Sequence, residues 1–438
     1  MKLFKRKEID ITLLSKGFLI ISLIIHLVFI FSLVFGFLNP LFHDSTYRLG
    51  QGSDFYAIYQ AGYNVLFGLN PYKKVDGYNV VPYSYNFIYH PFLAFTFGVA
   101  FNIFPPFVAY WVWVIVLLSL VWISCYLTHN ICRALDKPKW VEFVAIGMWL
   151  CFSPIYVELF MGQITLIVAL LAFFSLYAET RKKEAQGTIF WTLSCLIKQF
   201  PFILLPSILS SGRTRKVVIN IIVFTIATIV FGLGYFLFYY LEYAGIRSSK
   251  VYTHYGNFDL RSVIYEFGTL ITTSPSWLEK NIFLINIVLF SIFIGLSLIA
   301  TIYSRDYLVS ISLFVCSYFI IFSGVWEHHF TLILPFLILL WIRDESRNKW
   351  FFIFLFLAIP TPFIILELSN LWYFPFSLLY RCFKFVPILI MFILLLKQAY
   401  KTPRTTSFVE SIKEVKNNII IGLKNPNIEN YSNIFMEL

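Results

Sequence analysis

The sequence predicts an all-α integral membrane protein, a bundle of roughly 11 to 13 transmembrane helices with interfacial helices in its first outer loop. Three observations carry that expectation. Of 438 residues, 59% are hydrophobic and 13% charged, with a mean hydropathy of +0.76, more apolar surface than a water-soluble chain can cover. The apolar residues gather in runs close to the roughly 20 residues that a bilayer core demands. Lys and Arg fall in short clusters between those runs, the mark of cytoplasmic loops. The same clustering interprets the net charge of +11. Anionic lipid headgroups, and not nucleic acid, are the expected counter-charge.

The first apolar run, 17–38, follows the basic "KLFKRK". It is longer than a signal-peptide core and lacks a small-residue cleavage site, so it reads as a retained helix with its N-terminus inside. Residues 39–106 form a long outer loop, in which "SDFYAIYQAGYNVLFG" and "HPFLAFTFGVAFNIF" are too short to span and suit helices lying along the interface. Spans near 107–128, 140–155 and 162–179 follow, separated by the basic "THNICRALDKPKW" and the outer turn "SPIYVELFMGQ". Between the basic loops "ETRKKEAQ" and "SGRTRK", residues 187–211 must leave and return to the same side, which two short helices meeting near "KQFP" would achieve. Further spans near 217–240, 281–303, 306–323, 329–342, 350–366 and 377–397 end inside. Residues 1–400 thus make one polytopic domain, and 401–438 a cytoplasmic tail whose amphipathic "FVESIKEVKNNIIIGL" lies at the inner surface or is mobile. The cations Lys73, Lys74, Arg247, Lys250, Arg261, Lys280, Arg381 and Lys384 fall on the outer side as exceptions, which long outer loops tolerate.

Six cysteines stand singly, without a C-x-x-C, so disulfides and thiolate metal sites are not expected. Walker, dinucleotide, H-E-x-x-H and G-x-S-x-G signatures are absent. The outer side also shows no D-x-D, which argues against a metal-dependent sugar-nucleotide site. What the outer face does collect is a set of polar groups at membrane-adjacent depth, where such groups are costly and mark function. Asp54 either caps the helix after Gly-Ser or acts as a base, because burial among aromatic side chains raises a carboxylate's pKa toward a useful range. His328 and His329 either anchor a helix end or transfer protons. They point about 100° apart on a helix, too far to share one metal, and Glu327 is placed to orient one ring. Lys198, alone in an apolar stretch, either snorkels or meets an anion. Arg261 is either an exposed loop cation or a clamp for phosphate. Tyr89, His90, Gln163, Asn257 and Glu327 are the candidate substrate contacts.

Five segments in order, "SDFYAIYQAGYNVLFGLNPY", "FIYHPFLAFTFGVAFNIFPPFVAYWVW", the stretch from "MGQITLIVALL" to "LIKQFPFILLP", "YGNFDLRSV" and "VWEHHFTLILP", resemble glycosyltransferase family 87 over nearly all of residues 50–340. The resemblance implies a GT-C type fold and transfer, with inversion, of mannose or a related sugar from a polyprenyl-phosphate donor to a glycolipid or glycan acceptor, without a cofactor. It implies Asp54 as catalytic base, with Lys198, the "NFDLRS" loop and one of His328 and His329 in the site. Two positions depart from the family's usual pattern. Tyr89-His90-Pro91 stands where Tyr-Pro-Pro is common, and Asn257-Phe258-Asp259 where Asn-Gln-Ser is common. Both bear on which sugar and acceptor are used. The expected setting is a bacterial inner membrane, with the site facing outward. The alternative is a transporter or flippase of a lipid-linked sugar, but the paired halves usual in carriers are not visible, and a carrier has no need of so long an outer loop.

Overall fold

A computed structural model describes residues 11–42, 50–73, 77–83, 86–237, 257–268, 280–322, 324–361 and 375–424. Among these the chain is helical, and its β-structure is a single isolated bridge between Ser304 and Pro403. Five helices are long and apolar enough to cross a membrane: Ile11–Phe35, Pro106–Ala134, Lys139–Met161, Leu284–Tyr303 and Phe376–Lys401. Other expected spans appear as shorter apolar helices, among them Thr165–Glu179, Phe200–Ser210, Tyr307–Ile321 and Asn348–Ala358. Such interruptions are tolerated at membrane depth where the backbone is buried in protein.

In chain order, α1 is Ile11–Phe35, α2 Ser53–Leu66 and α3 Pro91–Phe101, the last with a π turn over Ala94–Gly98. Pro106 starts α4 (Pro106–Ala134), where its missing N–H costs nothing. Next come α5 (Lys139–Cys151) and α6 (Ser153–Met161), divided at Phe152 ahead of Pro154. Gly162, at a positive φ of 66°, ends α6 and turns the chain into α7, Thr165–Thr180. After α8 (Glu184–Ile197) come the 3-10 turn Phe200–Leu204, α9 (Leu205–Ser210) and α10 (Thr214–Val230). Then follow α11 (Leu260–Gly268), α12 (Ile282–Tyr303) and α13 (Tyr307–Ile321), whose N-cap Asp306 accepts from Val309 N at 3.0 Å. The 3-10 segment Glu327–Leu332 leads into α14 (Leu334–Arg343), α15 (Asn348–Ala358), α16 (Phe376–Lys401) and α17 (Phe408–Lys424).

Burial sorts these helices into two layers. α6, α13 and α14 are buried along nearly their whole length, whereas α1, α10 and α12 leave rows of Ile, Leu, Val and Phe exposed. A helix apolar all round belongs in a core, and exposed aliphatic rows on this scale face lipid. The expected pair of helices over 187–211 is present, because Pro201 lacks the N–H that Ile197's carbonyl would accept in a continuous helix.

Two expectations are corrected or refined. Arg381 and Lys384 are not outer-loop cations but buried residues of α16, paired with Glu266 at 2.8 Å and Glu327 at 3.0 Å. The tail helix α17 packs on α9, α10 and α12, and a Cβ at Gly422 would lie 1.9 Å from the Gly212 carbonyl oxygen, so only glycine permits the approach. Lys74, Arg247 and Lys250 lie outside the described residues.

Candidate functional site

The centre of the site is the first turn of α2. Gly52 occupies the cap position with a φ of 75°, and its N–H donates to the Phe160 carbonyl at 2.7 Å. A side chain there would strike the rings of Tyr56 and Tyr110 at 2.8 and 3.0 Å. Gly162 is equally constrained, since a Cβ on it would come 2.6 Å from Phe55 Cβ. These two glycines set the start of α2 directly on the turn between α6 and α7. Asp54 therefore sits inside the helix's first turn and not at the cap, where its charge favours the positive end of the helix dipole.

Tyr89 joins that carboxylate to the turn. Its hydroxyl lies 3.3 Å from Asp54 Oδ1 and 3.3 Å from Gln163 Oε1, with one proton to serve either acceptor. Tyr72 fixes the backbone by donating to the Tyr89 carbonyl at 2.6 Å. Gln163 Oε1 also accepts from Ile164 N at 3.1 Å, so the amide is oriented by the first residues of α7.

Thr165, two residues further, accepts from Lys198 Nζ at 3.0 Å. Lys198 stands where α8 breaks, in extended backbone with a φ of −150°, and the break turns its ammonium toward the start of α7. Glu158, fully buried in α6, accepts from the Thr331 hydroxyl at 2.9 Å and lies within the fields of both Lys198 and Asp54. Thr331 is also 2.8 Å from the His328 carbonyl. The structure thus gathers Asp54, Tyr89, Gln163 and Lys198 around Glu158, with His328 one contact away.

His329 has a local task. Its Nδ1 accepts from Trp326 N at 3.0 Å, which leaves the proton of the neutral ring on Nε2, and its ring centroid lies 4.3 Å from that of His328. Glu327 does not orient either ring, because its carboxylate is held by Lys384 at 3.0 Å and by the Thr361 hydroxyl at 2.7 Å. Asn257 is folded into its own loop, donating to Asp259 Oδ2 at 3.1 Å and Ser262 Oγ at 2.9 Å. Asp259 caps α11 through Ser262 N and accepts from Gly324 N at 2.9 Å, pinning this loop to the one that carries the histidines. Arg261, buried on α11, donates from Nη2 to the Ile321 carbonyl, while Nε and Nη1 are buried without a hydrogen-bond partner in the described residues. It is not the exposed loop cation of the simpler reading.

His90 turns away from its neighbour Tyr89. Its Nδ1 accepts from Phe92 N at 3.2 Å, capping α3, and its Nε2 meets Thr228 Oγ1 of α10 at 2.9 Å between Phe224 and Phe236. Burial pushes its pKa down to about 4, so the ring is neutral at physiological pH. Sequence reasoning placed Glu158 among the outer-face polar groups without a role of its own, and left Thr165 and Thr331 out. Only Glu158 carried a signal, as a carboxylate in the apolar stretch "YVELFM". Among the described residues, His, Cys, Asp and Glu side chains do not gather in threes as a metal site.

A helical membrane protein that collects two carboxylates and a lysine around one buried turn has the form of an intramembrane enzyme. The model of glycosyltransferase family 87 matches residues 87–324, more than half of the chain. The chain belongs to that family and is a glycosyltransferase. Comparison with curated proteins and with solved structures found no match. The matched span includes Tyr89, Gln163, Lys198 and Arg261, whereas Asp54 and the histidine pair lie outside it and are placed by the contacts above.

Proposed function

We propose that this glycosyltransferase moves a sugar, mannose or a close relative, from a polyprenyl-phosphate donor to a hydroxyl of a glycolipid or glycan on the extracytoplasmic side, with inversion and without a metal. Asp54 removes the acceptor's proton as the acceptor oxygen bonds to the anomeric carbon. The carbon–oxygen bond to phosphate breaks, and its electron pair leaves on the polyprenyl phosphate. Lys198 and the open N–H groups of Arg261 offset the charge that develops on that phosphate. Tyr89 and Gln163 hold Asp54 and the acceptor in register, and His328 lies at the sugar.

The observation that carries this reading is the run of contacts from Asp54 through Tyr89 and Gln163 to the start of α7, where Thr165 holds Lys198. It brings the proposed base and the proposed phosphate-binding cation, 144 positions apart in the sequence, to one turn. A donor already embedded in the bilayer also needs no nucleotide pocket, in keeping with the missing nucleotide signatures. The test is Asp54→Asn in membranes supplied with a polyprenyl-phosphate sugar. The variant should accumulate and melt like the parent while transfer falls by about 10²–10⁴-fold, the usual worth of general-base catalysis. Undiminished turnover would remove Asp54 from the mechanism.

A further inference from the structure

Away from this site, a cavity of about 410 Å³ opens between α8, α10 and the tail helix α17. Glu179, Glu184, Arg213, Arg215 and Lys216 line it, with Ile189 and Ile219 forming its apolar wall and Gly422 of α17 closing one side. The charges are not equivalent. Lys216 is buried and bound to Glu179 and to the Ser175 hydroxyl, and Arg213 meets the same carboxylate at 3.2 Å. Glu179 is thereby compensated twice. Arg215, exposed in the first turn of α10, makes no ion pair or hydrogen bond among the described residues. It stands beside the first free N–H groups of a 17-residue helix, where the dipole also favours an anion.

The apolar wall continues beyond the cavity. One and two turns along from Ile219, α10 exposes Val223 and Ile226, and one turn along from Ile189, α8 exposes Leu193. Residues spaced by three and four share a helix face, so two aliphatic rows run away from a mouth lined by three cations and two carboxylates, with a net positive charge. A soluble anion has no use for those rows, and a purely apolar ligand has none for Arg215. We propose that this cavity holds the phosphate headgroup of an anionic membrane lipid, with Arg215 and the start of α10 on the phosphate and the acyl chains along the groove between α8 and α10. It is a binding site separate from the transfer chemistry, on the membrane surface that the basic loops around 181–183 and 211–216 face.

The test uses the full chain purified in detergent, with thermal unfolding followed against added phosphatidylglycerol, phosphatidylcholine of the same chains, and inorganic phosphate. Phosphatidylglycerol should raise the melting temperature saturably and the other two should not. Arg215→Ala, an exposed change that leaves the fold intact, should weaken that response by about fivefold, the value of one cation at an anionic surface. Ile189→Ser with Ile219→Ser should weaken it as well. Equal stabilisation by phosphatidylcholine, or an unchanged response in Arg215→Ala, overturns the proposal. Full protection by inorganic phosphate identifies a soluble anion as the occupant and overturns the lipid assignment.

Discussion

Tyr89 and His90 are neighbours in the chain, yet they work on opposite sides of it. Tyr89 reaches Asp54, while His90 caps α3 and bonds to Thr228 in a buried aromatic setting. Burial without a compensating carboxylate is the reason that the His90 pKa falls to about 4. The folded state then prefers the neutral ring, and the unfolded chain, with an ordinary pKa near 6.5, takes the proton first. Stability from this residue is complete above about pH 6.5 and is lost as the pH falls toward 4, by on the order of 3 kcal/mol at the low end. Melting curves at pH 7 and pH 4.5 should show a drop in the parent that is smaller in His90→Gln. The same drop in both proteins would mean that His90 does not titrate as its surroundings dictate.

At the scale of elements, α2 and α3 cross at two glycines. A Cβ on Gly62 would lie 2.0 Å from the Gly98 carbonyl carbon, and one on Gly98 would lie 2.7 Å from the Ile58 carbonyl oxygen. The obstacle is backbone in both cases and cannot move aside as a side chain would. Gly62→Ala should therefore separate the helices, lower stability by about 1–3 kcal/mol, and reduce transfer below what the lost stability explains, since Asp54 rides on α2 and Tyr89 enters α3. Gly17→Ala, where a Cβ meets open space, is the control and should leave both melting temperature and turnover unharmed. The sequence made these two helices legible as short elements ahead of α4, and the basic loops on either side of 187–211 announced the break near Lys198. Their crossing was not legible, because a glycine contact needs both partners and the spacing of one reveals nothing about the other. Likewise, Asp54 stood out in sequence as an acid after Gly-Ser, whereas Glu158 gained its meaning only when Lys198 and Thr331 were brought to it by the fold.

At the scale of the whole molecule, α16 acts as the post to which two loops are fastened. Arg381 binds Glu266 of α11 and the Asn257 carbonyl at 2.9 Å. Lys384 binds Glu327 and donates to the carbonyls of Leu357 and Ile359 at 2.6 and 2.7 Å, at the end of α15. Residue by residue these looked like misplaced cations on the wrong side of a membrane, because the partner of Arg381 is 115 positions away. Paired, they let helix α16 cross without an unmatched charge. The two pairs lie beside the segments that carry Arg261 and His328, so in the proposed mechanism the placing of those two side chains depends on them. Lys384→Met should leave Glu327 buried without its counter-charge and cost about 3–5 kcal/mol, whereas Lys384→Met with Glu327→Gln should recover much of the loss. A double-mutant cycle on melting, with Glu327→Gln as the other single change, isolates the coupling, expected at about 1–3 kcal/mol. Simple additivity would show that the two charges do not sense each other, and that α16 holds the histidine loop by apolar packing alone.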